Sequence, residues 1–152
     1  MKTFSQLVAE SAKNIDEIFP WDLEEKNDSP PILLDIREPY EFDAMHIKDS
    51  INVPRGILET ACEYDFEETV PELVEARKHE IVVICRSGNR SIFAAEVMLK
   101  MGYRNVVSLK TGLRGWVDYE LPLVDANEQE VKEDTADDYF TPKLRPEQIS
   151  PK

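Results

Sequence analysis

Cysteine and histidine are scarce in this 152-residue chain, two of each, and their scarcity excludes several classes of protein. Cys62 and Cys85 make neither a disulfide framework nor a zinc-binding spacing. No stretch approaches the ~18 consecutive apolar residues of a membrane span. The N-terminal MKTFSQLVAESAKNI lacks the long apolar core of a signal peptide, so the chain is expected to be cytoplasmic. Bases are outnumbered, 18 against 31 acids, for a net charge of −13. Nucleic acid is therefore not expected as a partner, since phosphate binding needs concentrated Lys and Arg. Internal repeats and low-complexity tracts are missing too, and the length fits one ordinary domain.

What the chain does contain is an informative junction. Residues 81–84 are a continuous Ile/Val run, as a parallel strand covered on both faces requires, and Cys85 stands at its C-terminal edge. From Arg90 the sequence RSIFAAEVMLKMG offers Ile92, Phe93, Ala95, Val97, Met98 and Leu99 to an apolar stripe, with Gly102 as a stop. A helix is thus expected to begin almost on top of the cysteine. The turn between, residues 86–89, can aim unpaired backbone N–H groups inward where the helix N-terminus adds partial positive charge, which makes an anion-holding nest. Thiolate is the nucleophilic form of cysteine, and helix N-termini and arginines favour it. Arg86 and Arg90 carry planar forks suited to oxyanions, and Ser87 and Ser91 carry hydroxyls that can donate to a bound anion or to sulfur. Gly88 permits a positive φ, and Asn89 tolerates one. Cys85 is accordingly the candidate nucleophile and residues 86–91 its binding loop. The alternative is a buried structural cysteine followed by an ordinary turn.

The segment CRSGNRS resembles the active-site loop of the rhodanese family, single-domain sulfurtransferases whose nucleophilic cysteine opens a six-residue loop ahead of a helix. Two further stretches stand in that family's order. LLDIREPYEFDAMHIKDSINVPRG, residues 33–56, resembles its strand, Asp-x-Arg-Glu, His-Ile and second short strand ending Asn-x-Pro. LKTGLRGWVDYELPLV, residues 109–124, resembles its closing Gly-x-x-x-Trp signature. The resemblance covers residues 15–124 and implies a three-layer α/β domain with a central, mostly parallel sheet flanked by helices. It also implies a two-step transfer of sulfane sulfur. The Cys85 thiolate takes the outer sulfur of a small anionic donor such as thiosulfate, holds it as a persulfide, and yields it to cyanide, a thiol or a protein acceptor. The amides of residues 87–91 are then expected to hold the persulfide and Arg86 the donor's oxyanion. Arg90 binds the donor or braces the loop by pairing with Asp35. No metal or organic cofactor is implied. Thiosulfate-using members carry Lys or Arg where this chain has Ser87, and a serine there is also seen in mercaptopyruvate sulfurtransferases, so the donor stays open between the two. Two other readings accompany this one. The first is a regulatory domain or persulfide carrier delivering sulfur to a protein partner. The second is a phosphatase or arsenate reductase, whose loops place five residues between Cys and Arg where four separate Cys85 from Arg90.

Elsewhere the elements alternate. Helices are expected over residues 3–14, 20–26, 38–45 and 65–78, the last broken near Pro71, and strands at 18–19, 32–36, 51–53, 81–85 and 105–109, with a turn at 28–31. This alternation also argues for a three-layer α/β domain, in which sites collect at the carboxyl ends of strands. Asp35 and Arg37 end one such strand and are expected to support the loop, a salt bridge or turn cap being the alternative. His46, Trp116 and Cys62 are assigned to structure. Residues 16–43 hold ten acids and two bases, whereas residues 85–115 hold six bases against Glu96 alone, so the candidate site is a basic island. Residues 1–14 read as a helical extension, 15–124 as the domain, and 125–152 as an acidic, proline-containing tail of extended or disordered composition. Tyr139, Phe140 and Leu144 leave docking of residues 137–146 on the domain or on a partner as an equal alternative.

Overall fold

In a computed structural model describing residues 1–26 and 28–151, the sheet comprises β1 (Asp16–Ile18), β2 (Ile32–Asp35), β3 (Ile51–Asn52), β4 (Glu80–Ile84) and β5 (Asn105–Leu109). Their order is β1-β5-β4-β2-β3, and each pairing is parallel. The EIVVI sequence of β4 puts that strand in the middle. Ile81 and Val83 face one core and Val82 and Ile84 the other, so no polar alternation is tolerated. Around the sheet run α1 (Phe4–Ala12), α2 (Pro20–Glu24), α3 (Pro39–Ala44), α4 (Leu58–Ala61), α5 (Pro71–Val74), α6 (Arg90–Lys100), α7 (Gly112–Asp118) and α8 (Glu133–Phe140). Ile92, Ala95 and Met98 of α6 cover the first face together with Leu58 and Leu73. Leu113 and Trp116 of α7, with Ala136 and Phe140 of α8, cover the second.

Local chemistry fixes the ends of these helices. Thr3 Oγ1 accepts from the Gln6 amide at 3.1 Å while Gln6 Oε1 accepts from the Thr3 amide at 2.8 Å, a reciprocal cap that starts α1. Helix α6 ends where Gly102 takes a φ of +92°, with Gly102 N–H donating to Leu99 O and Tyr103 N–H to Met98 O. Helix α1 then rests on α6 through the Phe4 and Phe93 rings, 6.2 Å apart, and the Ser11 to Glu96 hydrogen bond.

Three expectations need correction. The acidic helix over residues 65–78 is reduced to α5, because Pro71 lacks an N–H, clashes with a preceding helical turn and holds Val70 extended at φ −111°, ψ 97°. The first edge strand lies at Asp16–Ile18, and Phe19 caps α2, which ends at Glu24. Most consequential, the extended reading of residues 125–152 gives way to its alternative where Glu133–Phe140 form α8 against the domain. Ala136, Tyr139 and Phe140, at i, i+3 and i+4, form an apolar stripe that packs on the second core, while Glu133 and Asp134 suit the helix's positive end. The chain reaches α8 through a turn in which Asp125 Oδ1 accepts from the Asn127 and Gln129 amides. No helix among the described residues is long and apolar enough to cross a membrane.

Candidate active site

Cys85 follows β4 directly and is 1% exposed, its sulfur enclosed by the turn that leads into α6. The backbone N–H groups of Gly88 and Ser91 donate to Sγ at 3.2 and 3.3 Å, and Ser91 Oγ lies 3.2 Å from it. Ser91 Oγ is in turn 2.7 Å from Ser108 Oγ on β5. As a thiolate, Sγ therefore accepts from two amides and a hydroxyl that Ser108 supports from behind. The amides of Ser87, Asn89 and Arg90 donate to no protein acceptor among the described residues. The turn thus keeps donors in reserve beside the sulfur.

The loop's shape depends on one glycine within it and one beyond it. Gly88 sits at φ +82°, and a Cβ there would come within 2.8 Å of the Thr111 nitrogen. Asn89 stays at φ −98°, so the positive φ anticipated at either residue belongs to Gly88 alone. From the other side, the first amides of α7 grip the loop, Leu113 N–H donating to Cys85 O and Arg114 N–H to Arg86 O, each at 3.0 Å. Those amides are orphan donors of a helix start, and the loop carbonyls satisfy them. Gly112, at φ +60°, allows this approach: a Cβ would lie 2.6 Å from Cys85 O.

The charged residues are divided among several tasks. Arg86, Ser87, Asn89 and Arg90 line a cavity of about 400 Å³ with Cys85, and Phe4 of α1, 55% exposed, forms its apolar rim. Arg90 does not pair with Asp35. Its two terminal nitrogens donate to the two oxygens of Glu41, each at 3.0 Å, because Glu41 in the first turn of α3 faces the start of α6. Burial pushes the Glu41 carboxyl up, but the hydrogen bonds from Arg90 and from the Glu38 amide outweigh it. With the charges of Arg90 and Arg37 they leave it below its ordinary value. Asp35 is taken by Arg37 through Nε at 3.0 Å and Nη2 at 2.8 Å, both side chains fully buried, and Arg37 Nη2 also donates to Met45 O. Neither residue hydrogen-bonds to the loop. Arg37 Nη1 has no partner among the described residues.

The remaining candidates are structural. His46 Nδ1 pairs with Phe42 O at 2.7 Å, and its ring stacks on Phe42. Trp116 Nε1 donates to Pro122 O. Cys62 is buried in the first core, where burial pushes its thiol up. Among the described residues no group of three or more His, Cys, Asp or Glu side chains is placed to hold a metal ion. Ser108, Gly112, Leu113, Glu41 and Phe4 were not singled out by residue type. The two family-like stretches lie over three of them, residues 33–56 over Glu41 and the Gly-x-x-x-Trp signature over Gly112 and Leu113.

Comparisons with known proteins give the chain's family and fold neighbours. A family-wide sequence pattern for the rhodanese-like domain matches residues 20–119. A candidate sulfur carrier protein of Bacillus subtilis is 36% identical over 110 residues, which span 71% of this chain and 54% of that protein, so the match takes in about half of the relative's length. The thiosulfate:glutathione sulfurtransferase of Saccharomyces cerevisiae is 30% identical over 71% of this chain and 84% of its own. A solved structure from Rhodopseudomonas palustris, described as a protein of unknown function and possible tyrosine phosphatase, superposes with a TM-score of 0.71 at 26% identity, over 81% of this chain and 95% of that one. With its all-parallel sheet, its cysteine-headed loop between β4 and α6, and these matches, the chain belongs to the rhodanese-like domain family.

Proposed function

We propose that this protein is a cytoplasmic sulfurtransferase that moves sulfane sulfur from an anionic donor such as thiosulfate, through a persulfide on Cys85, to cyanide or a thiol. One observation carries the reading: Sγ of Cys85 is the focus of two backbone N–H groups and a hydroxyl at 3.2 to 3.3 Å, with further unpartnered amides around it. The Cys85 thiolate attacks the outer sulfur of thiosulfate. The donor's S–S bond breaks, sulfite leaves with the bonding pair, and the transferred sulfur remains on Cys85 as an anionic persulfide. An acceptor nucleophile then bonds to that sulfur, and the Cys85 thiolate leaves, completing a ping-pong cycle. Gly88 and Ser91 hold Sγ, the amides of Ser87, Asn89 and Arg90 receive the outer sulfur, and Arg86 binds the donor's oxyanion.

Phosphoryl transfer suits this geometry less well. Only four residues separate Cys85 from Arg90, and a loop that short fits one sulfur atom better than a tetrahedral phosphate with four oxygens. Delivery to a protein acceptor is the second reading, favoured by the half-exposed Phe4 on the cavity rim and by the carrier name of the Bacillus relative. Intact mass after incubation with thiosulfate, then with cyanide or a thiol, tests the proposal. The expected result is a gain of one sulfur that the acceptor removes and that Cys85→Ser abolishes. Loading that persists in Cys85→Ser sinks the assignment. Loading from mercaptopyruvate but not thiosulfate moves the donor class and keeps the nucleophile.

A further inference from the structure

The C-terminal helix α8 lies outside residues 20–119, yet it ends on the active-site loop. Its last carbonyls need partners that the helix itself does not supply. Thr141 N–H takes those of Asp137 and Asp138. The next two are taken by two arginines, Tyr139 O by Arg86 Nη2 at 3.3 Å and Phe140 O by Arg114 Nη1 at 2.8 Å, and Arg86 also lines the cavity. Two cations thus sit at the negative end of one helix, where the macrodipole favours them. The Arg86 guanidinium also lies 5.9 Å from the Tyr139 ring centroid and 5.6 Å from that of Phe140, within cation–π range of both. Phe140 is buried in the second core with Leu113 and Trp116, so core packing fixes the point to which Arg86 is tied.

We propose that α8 is a positioning element of the site, in which Tyr139 and Phe140 hold the Arg86 guanidinium at the mouth of the Cys85 cavity and thereby set the affinity for anionic donors. The inference rests on the reading of Arg86 as the donor's ligand. A guanidinium has five N–H donors, and the tail consumes one of them, so its other edge is left for an oxyanion. An arginine already held in place loses less side-chain freedom when the anion arrives. Holding is therefore an aid to binding, and the tail and the anion do not compete.

The test uses full-length protein and two alkylating probes of similar size, iodoacetate and iodoacetamide, one anionic and one neutral. In each the Cys85 thiolate displaces iodide to form a thioether, and the ratio of their rates reads anion guidance by Arg86 with no sulfur transfer involved. Tyr139→Ala keeps the carbonyl and removes the ring from beside the guanidinium, and is expected to lower that ratio roughly threefold, with Tyr139→Phe near wild type. Arg86→Ala lowers it as well, and adding Tyr139→Ala to Arg86→Ala changes it no further. In thiosulfate turnover Tyr139→Ala raises KM by a similar factor with kcat unchanged. Phe140→Leu, which keeps the core filled, provides a second, weaker perturbation in the same direction. An unchanged or raised ratio in Tyr139→Ala, or additive effects in the double variant, overturns the positioning role. A ratio that behaves as expected in a protein taking no sulfur from any anionic donor keeps α8 as an anion-guiding element and sinks the sulfurtransferase reading instead.

Discussion

Glu41 is 8% exposed and holds Arg90, itself 37% exposed, through both terminal nitrogens, so the loop's closing residue is anchored by a carboxylate from another helix. The pH consequence follows from the sign of the shift. The Glu41 carboxyl is lowered from its ordinary 4.5 in the folded chain, so an unfolded chain binds its proton more readily. The stabilisation is complete above about pH 4.5 and disappears as pH falls through the lower, folded value. Glu41→Gln keeps the shape and removes the charge. It is expected to cost about 1 to 3 kcal/mol at pH 7. Thermal unfolding of both proteins across a pH series reads it, and the gap between them closes below pH 4.5. A gap of constant size from neutral to acid pH would mean that the ion pair contributes through packing alone.

At the scale of elements, the loop owes its shape as much to α7 as to β4 and α6. The Cys85 and Arg86 carbonyls receive the first amides of α7, and only a glycine at position 112 leaves room for them. In Gly112→Ala a Cβ would meet the backbone at 2.6 to 2.7 Å with φ at +60°, and backbone cannot swing aside as a side-chain tip can. The substitution should destabilise by about 2 to 4 kcal/mol, read by denaturant unfolding, and should slow Cys85 loading in whatever fraction remains folded. Gly56→Ala, with nothing within 4 Å, serves as the control and stays within about 0.5 kcal/mol. These contacts also mark where the sequence is legible. Residues 81–91 can be read directly, because the strand, the sulfur and the turn are contiguous and each residue type has a local reason. The partner of Arg90 cannot: Glu41 is 49 positions away, and the choice between it and Asp35 depends on which way α3 faces. Ser108 and Gly112 reach the cysteine only because β5 lies beside β4. Helix α8 is hidden by its acids, although Ala136, Tyr139 and Phe140 keep helical spacing. In residues 65–78 the error runs the other way: the break at Pro71 is legible, but helix-favouring composition extends the expected helix to both sides of it, where only Pro71–Val74 forms one.

Charge on the whole molecule acts at longer range than the site does. The chain carries −13, and within the basic island Glu41 offsets the charge of Arg90 while Arg86 and Arg114 face the negative end of α8. A dianionic donor therefore meets repulsion from the molecule as a whole and attraction only on contact with Arg86. Salt separates the two, since the Debye length shrinks from about 30 Å at ~0.01 M to about 8 Å at ~0.15 M. Screening at that scale removes the distant repulsion and leaves short contacts in the partly enclosed cavity largely intact. The kcat/KM for thiosulfate is thus expected to rise roughly two- to threefold over that range of sodium chloride. The rate of iodoacetamide at Cys85, a reaction with a neutral reagent, should stay flat over the same range. If the thiosulfate rate falls with salt instead, the field at the cavity mouth is net positive beyond contact distance, and the basic island steers donors in as well as binding them.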